Sequence, residues 1–185
     1  QNFELPIQLS SCPRCNVKVH YAARTNCDSW QQLEILRIEY LNPNVCFYCA
    51  NETAIMQEAL THIIAANAMG FEPGISQSGC DTTWQIGNGS CWATIPEYYY
   101  RVPNIFDPLN PIFDFLLDSI MVKEKCDSVD CCFQKFRVCK FNEYYYSIWP
   151  LETNNTPALC DYKIKTDPLG RIFPCEPHCE WLQFD

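Results

Sequence analysis

Apolar and polar residues alternate along 16–23 (Asn-Val-Lys-Val-His-Tyr-Ala-Ala), and the alternation returns in parts of 32–41. A period of two puts successive side chains on opposite faces of a strand. The polar cluster Thr25-Asn26-Cys27-Asp28-Ser29 separates the two segments, so they are expected to form an antiparallel hairpin with one face packed inward. The second arm, rich in Leu and Glu, also has the residues of a helix. Over 52–69 the period changes. Ile55, Met56, Ala59, Leu60, Ile63 and Ile64 recur at helical spacing, Asn51 or Thr53 can cap the start, and Gly70 stands where a helix ends. Residues 82–87 and 91–100 flank Asn88-Gly89, a turn pair that predicts a second hairpin.

Beyond residue 100 the pattern is broken by Pro103, Pro108 and Pro111, a stiff connection. A short helical stretch is expected over 112–121. Strands follow at 133–141, 143–149, 161–166 and 170–173, with Cys131-Cys132 and Pro150 as punctuation. The expected fold class is α+β: mostly antiparallel β-sheet with one substantial helix, stapled by disulfides. Residues 1–100 hold a hairpin, the helix and a second hairpin, and residues 101–185 a β-rich disulfide region. The two can also run on as one domain.

Cysteine usage decides the compartment. The chain has 14 cysteines in 185 residues: Cys12, Cys15, Cys27, Cys46, Cys49, Cys80, Cys91, Cys126, Cys131, Cys132, Cys139, Cys160, Cys175 and Cys179. Cys12-Pro-Arg-Cys15 and Cys46-Phe-Tyr-Cys49 have the form of a zinc ribbon, but the gap between them is wider than usual, and the other ten make no second ribbon. An even, high count favours bridges and an oxidising compartment, extracellular or at the cell surface. Cys80 and Cys91, either side of Asn88-Gly89, are the expected local cross-strand bridge. A first residue Gln1 rather than Met reads as the mature end left by signal peptidase, and no 18-residue apolar run offers a membrane span. Surface attachment then comes only through partners.

Charge narrows the partners. With 13 Lys+Arg against 22 Asp+Glu the net charge is −9, which repels phosphate backbones and anionic lipid, so nucleic acid is not an expected partner. Catalytic constellations are hard to assemble. His20, His62 and His178 share no segment, and Glu58 with His62 on one helix face falls short of the three or four ligands a metal needs. No GxSxG, P-loop, dinucleotide fingerprint or EF-hand loop occurs, and no cofactor is expected. Asp107, Asp114 and Asp118 are acids that an acid–base hydrolase could pair, though solvated acids account for them as well.

Aromatic residues make up 14% of the chain, and two runs stand out: Tyr98-Tyr99-Tyr100 and Tyr144-Tyr145-Tyr146, each preceded by Glu. On a strand, alternation sends at least one ring of each run away from the core, and exposed tyrosine is what interface cores use. These six residues are the candidate interface to a protein partner or to a second copy.

Lys18-Val-His-Tyr-Ala-Ala-Arg24, Cys27, 31–41, Asn67-Ala-Met-Gly70, Gly89-Ser-Cys-Trp92, Asp130-Cys-Cys132 and Arg137-Val-Cys139 together resemble small cysteine-rich exported proteins of the Bacteroidota. Some of those are associated with type IX secretion and gliding systems. The resemblance implies O-glycosylation at Asp-Ser/Thr signals, matched here by Thr82, Ser119 and Ser128, where background composition gives roughly half of one match. It also has a departure, because 175–185 does not look like a type IX sorting domain. Sequons at Asn51, Asn88 and Asn154 offer the eukaryotic alternative. The expected function is a non-enzymatic exported interaction or structural subunit of a surface assembly such as a filament, adhesin or outer-membrane complex. The alternatives are a secreted hydrolase or carbohydrate-active enzyme using acidic residues, and a secreted inhibitor or toxin-like effector.

Overall fold

The computed structural model describes residues 1–25, 31–71, 74–75, 83–89, 91–100, 117–126, 131–140, 146–154, 160 and 164–177. Strands dominate and two helices accompany them, a mixed α+β fold. The strands are β1 (Asn2–Gln8), β2 (Asn16–Thr25), β3 (Gln31–Tyr40), β4 (Gly74–Ile75), β5 (Thr83–Gly89), β6 (Cys91–Tyr100), β7 (Leu117–Lys125), β8 (Cys131–Lys140), β9 (Tyr146–Asn154), β10 (Ile164–Thr166), β11 (Ile172–Pro174) and β12 (Glu176–Pro177). The helices are α1 (Pro43–Cys49) and α2 (Glu52–Ala66).

The expected first hairpin is formed by β2 and β3, with Val17, Val19, Tyr21 and Ala23 buried. β3 does not keep a strict period of two. Leu33 and Ile35 point inward, then Ile38 and Tyr40, because Leu36 is an extra residue where Tyr21 pairs with Ile35 and His20 with Arg37. A bulge of this kind rotates the strand by one residue and shifts its inward set. It falls where β3 changes neighbour. Gln31–Ile35 run parallel to β5, whereas Arg37–Tyr40 run antiparallel to β7.

That change of neighbour overturns the second expected hairpin. β5 lies between β3 and β8, β6 pairs with β7, and Asn88 and Gly89 are strand residues opposite Cys132 and Cys131. β5 runs parallel to β3, β7 runs against it and β6 against β7, so β5 and β6 point the same way. The turn chemistry of Asn-Gly yields to strand pairing, Asn88 on both edges of β5 and Gly89 with β8. The expected helix over 112–121 is also corrected, since 117–121 begin β7, held between β6 and β3; residues 112–116 lie outside the described residues. Of the ten strand pairings among the described residues, β3–β5 and β4–β8 are parallel and the other eight antiparallel. The main sheet takes strands from both sides of the proline-rich connection, because β7 and β8 pair with β3 and β5.

Prolines sit where a ladder can spare an N–H. Pro6 is in β1, which pairs with β2 alone, and Pro150 is opposite Phe136 at the register shift between β8 and β9. In α2 the Asn51 side chain accepts the Ala54 N–H at 2.7 Å, which settles the cap. The helix ends earlier than expected: Asn67 takes the left-handed position with φ 41°, and its amide group closes on both the N–H and the C=O of Phe71.

One core packs α2 (Ile55, Met56, Ala59, Leu60, Ile63, Ile64) on the inward residues of β2, β3, β5 and β8, with Trp84 at 5.3 Å from Phe71. A second, smaller core covers the opposite face of β6 and β7: Ala93, Ile95 and Val122 lie under Cys91–Cys160 and Cys126–Cys175. The β10–β11 hairpin is tied by Asp167, buried, which accepts the N–H groups of Leu169 and Arg171 at 3.0 and 2.8 Å and pairs with the Arg171 side chain.

Candidate functional site

The cysteines meet by topology rather than by sequence proximity. Cys12 bonds Cys49 and Cys15 bonds Cys46, so both members of one CxxC pair are joined to both members of the other. The hairpin β2–β3 fills the gap between them and returns the chain to where it left. This settles the zinc-ribbon alternative in the oxidised chain: the four sulfurs are bonded to one another. Cys91 bonds Cys160, which overturns the expected Cys80–Cys91 bridge, for the same reason that the β5–β6 hairpin does not form. Cys126 bonds Cys175, and Cys139 is also disulfide-bonded. Cys27, Cys80 and Cys179 lie outside the described residues.

The doubly stapled corner is built from the loop 9–15 and α1. Within the loop, Leu9 N–H donates to Cys15 C=O at 3.1 Å and Cys15 N–H to Cys12 C=O at 2.8 Å. Glu58 of α2 accepts the N–H groups of Ser10 and Ser11 at 2.5 and 3.0 Å. Burial alone would raise that carboxyl, but these two donors outweigh it and hold it below the ordinary range. Glu58 is thus spent on the loop and not on the expected partner His62, which is exposed. Asn42 clasps the other side: its Oδ1 accepts the Asn16 N–H at 2.8 Å and its Nδ2 donates to Arg14 C=O.

In α1 the cysteines at i and i+3 face the loop, and helical geometry then turns the two residues between them elsewhere. Phe47 is 49% exposed and Tyr48 93%, with Leu41 beside the helix at 50%. Phe47 rests on Tyr40 at 4.9 Å between ring centres, while Tyr48, Val45 and Pro13 line an open cleft of about 580 Å³ that also reaches Cys49 and Arg14. Two bridges hold the backbone that carries these apolar groups, so little backbone freedom is left to lose on contact. Sequence reasoning passed over Phe47 and Tyr48 because they were read only as the spacer of a CxxC pair.

The six tyrosines are distributed differently. Tyr98 is half-buried: Arg171 lies over its ring at 5.4 Å, and its hydroxyl donates to Asp167 at 3.5 Å. Backbone pairing places Tyr99 opposite Asp118, Tyr100 opposite Leu117 and Tyr146 opposite Lys140. Tyr144 and Tyr145 lie outside the described residues, as do Thr82, Ser128, Asp107, Asp114 and His178. Ser119 is exposed on β7 opposite Tyr98.

A second concavity, of about 140 Å³, lies at the N-terminus of α2 between Glu52, Trp92, Thr94, Lys123, Phe173 and Glu176. Lys123 is 1% exposed, and its ammonium is 2.5 Å from Glu52. Burial pulls the amine below its ordinary pKa; Glu52 and Glu176 recover part of that. The Tyr40 hydroxyl, buried with no hydrogen-bond partner among the described residues, is pushed well up by burial and by the charge of Glu52. On the sheet's other face, Glu39 collects His20 at 2.8 Å, Arg37 at 2.9 Å and Lys18 at 3.6 Å. Burial would raise Glu39, but the hydrogen bond with His20 and the charges of Arg37 and Lys18 prevail and lower it. No group of three or more His, Cys, Asp or Glu stands open for a metal among the described residues, and no described helix is long and apolar enough to cross a membrane.

A scan against protein-family models finds no match to this chain, and searches of curated proteins and of solved structures find none either.

Proposed function

We propose that this chain is a non-enzymatic exported protein, an interaction subunit of a larger extracellular or cell-surface assembly, and that the stapled corner is its contact surface. The observation that carries this reading is Tyr48, 93% exposed and flanked by Phe47 and Leu41, on a seven-residue helix tied down by two disulfides. A short helix has no stability of its own, so the bridges fix it. What they fix is an aromatic surface, the composition that interface cores use. Bridges at Cys91–Cys160 and Cys126–Cys175 support an oxidising compartment.

The finer parts of the reading are a Bacteroidota source, O-glycosylation at Thr82, Ser119 and Ser128, and a second contact surface at Tyr98–Tyr100 and Tyr144–Tyr146. The exposure of Ser119 supports the glycan site. Co-purification from the native host tests the function. Wild type is expected to come with a partner, or a second copy, in fixed stoichiometry; Tyr48→Ser loses it while the intact mass still reports the same bridges. A monomeric, partner-free wild type overturns the proposal.

A further inference from the structure

The four cysteines of the stapled corner have two chemistries open to them. In the oxidised chain they make Cys12–Cys49 and Cys15–Cys46. We propose that in the reduced chain the same four thiolates form a tetrahedral zinc site, so that the corner is held by metal under reducing conditions and by disulfides after oxidation.

Three observations lead there. First, all four sulfurs come from one loop and one helix, with Cα separations of 5.7 and 4.6 Å across the bridges. A tetrahedral site with Zn–S near 2.3 Å puts its sulfurs about 3.8 Å apart, against about 2.05 Å in a disulfide. Conversion therefore asks each bonded pair to open by roughly 1.7 Å.

Second, contacts other than the bridges also shape the corner. Backbone hydrogen bonds shape the loop from Leu9 to Cys15, Glu58 holds the N–H groups of Ser10 and Ser11, and Asn42 clasps Asn16 and Arg14. The β2–β3 hairpin joins the two CxxC pairs through nine pairings of its own. Reduction removes the covalent links and leaves these contacts, which keep the loop shaped and the hairpin paired, and metal binding then supplies the tie to α1 that the bridges gave.

Third, the charge is tempered. Four thiolates on Zn²⁺ carry a net 2−, and Arg14, between Cys12 and Cys15, lines the cleft beside them. Cys12, Cys15 and Cys46 are buried and Cys49 is exposed, so metal and reductant have an entry side.

The steps balance. Reduction of the two bridges takes four electrons and four protons, from two dithiols, each of which becomes a disulfide, or from two phosphines and two waters, which become two phosphine oxides. It leaves four thiols. Zinc then displaces their four protons and is bound by four thiolates.

The test uses the full chain, reduced with a phosphine and loaded with cobalt(II) or zinc. The expected result is one cobalt per chain with the charge-transfer and intense ligand-field bands of a tetrahedral tetrathiolate. With zinc, differential alkylation and peptide mapping should protect Cys12, Cys15, Cys46 and Cys49 at least tenfold over the other ten cysteines. Cys15→Ser/Cys46→Ser should abolish both signals, and the matched control Cys126→Ser/Cys175→Ser should keep them. Absence of the tetrathiolate bands in reduced wild type overturns the proposal. So does protection that falls on other cysteines, or equal loss in both double variants.

Discussion

The pair Lys123–Glu52 joins a buried cation to a partly exposed anion, and that asymmetry makes its two halves unequal. Lys123 is 1% exposed, whereas the Glu52 side chain keeps 34% of its surface and can turn to water. Glu52→Ala leaves a buried ammonium whose nearby carboxylate is Glu176. Stranding a buried charge costs about 3–5 kcal/mol, and the low end applies here because Glu176 remains and the amine can shed its proton. Glu52 is also the first residue of α2, and losing an acid there adds about 0.3–1 kcal/mol. The sum is about 3–4 kcal/mol. Lys123→Met removes the charge and keeps the aliphatic stem against Trp92 and Thr94, and Glu52 is free to hydrate. It should change stability by no more than about 1 kcal/mol. The double variant should sit with Lys123→Met. Urea unfolding with the bridges intact measures all three. If Lys123→Met destabilises as much as Glu52→Ala, the assignment of the cost to desolvated charge is wrong.

Three further outcomes are expected. Tyr40→Phe removes a buried hydroxyl with no hydrogen-bond partner among the described residues, so stability should hold within about 0.5 kcal/mol or rise; a loss near 2 kcal/mol by the same assay would reveal a hidden partner. Removing Cys15 and Cys46 together should cost about 2.5 kcal/mol, because Cys12–Cys49 still closes the long loop and only the small ring of residues 12–15 and 46–49 is released, whereas removing all four should cost about 6 kcal/mol in thermal or urea unfolding. Glu39 and Glu58 sit below the ordinary carboxylate pKa in the folded chain, so their contribution is present above the unfolded value near 4.3 and is lost as pH falls through the folded values. Glu39→Gln should flatten the acid limb of a stability–pH curve, and an unchanged limb would contradict it.

Much of the fold was legible where one physical rule acted alone. β2 alternates cleanly because one face is buried, and α2 announces itself by its stripe and by Asn51. Legibility failed where tertiary pairing set the outcome. The bulge at Leu36 gives β3 inward spacings of two, three and two, so alternation over 32–41 is broken and could not outweigh the helical option that its Leu and Glu residues raised. Asn88-Gly89 has the chemistry of a turn, yet pairing of Asn88 with β3 and of both residues with β8 keeps it extended. β1 alternates Phe3, Leu5 and Ile7, but Pro6 hides the signal until the strand is known to be an edge. At the stapled corner the cysteines were visible and their pairing was not, because it depends on where the β2–β3 hairpin returns the chain. The outward direction of Phe47 and Tyr48 follows only once Cys46 and Cys49 are known to lie on a helix facing the loop.

The contact surface can be tested at a single position. A photo-activated cross-linking residue placed at Tyr48 in the chain expressed in its native host should give a discrete adduct, to one partner or to a second copy. The same residue at His62, exposed on α2, should give none. An adduct at 48 with a bare position 62 is the predicted result. A bare position 48 in the native assembly would contradict the account.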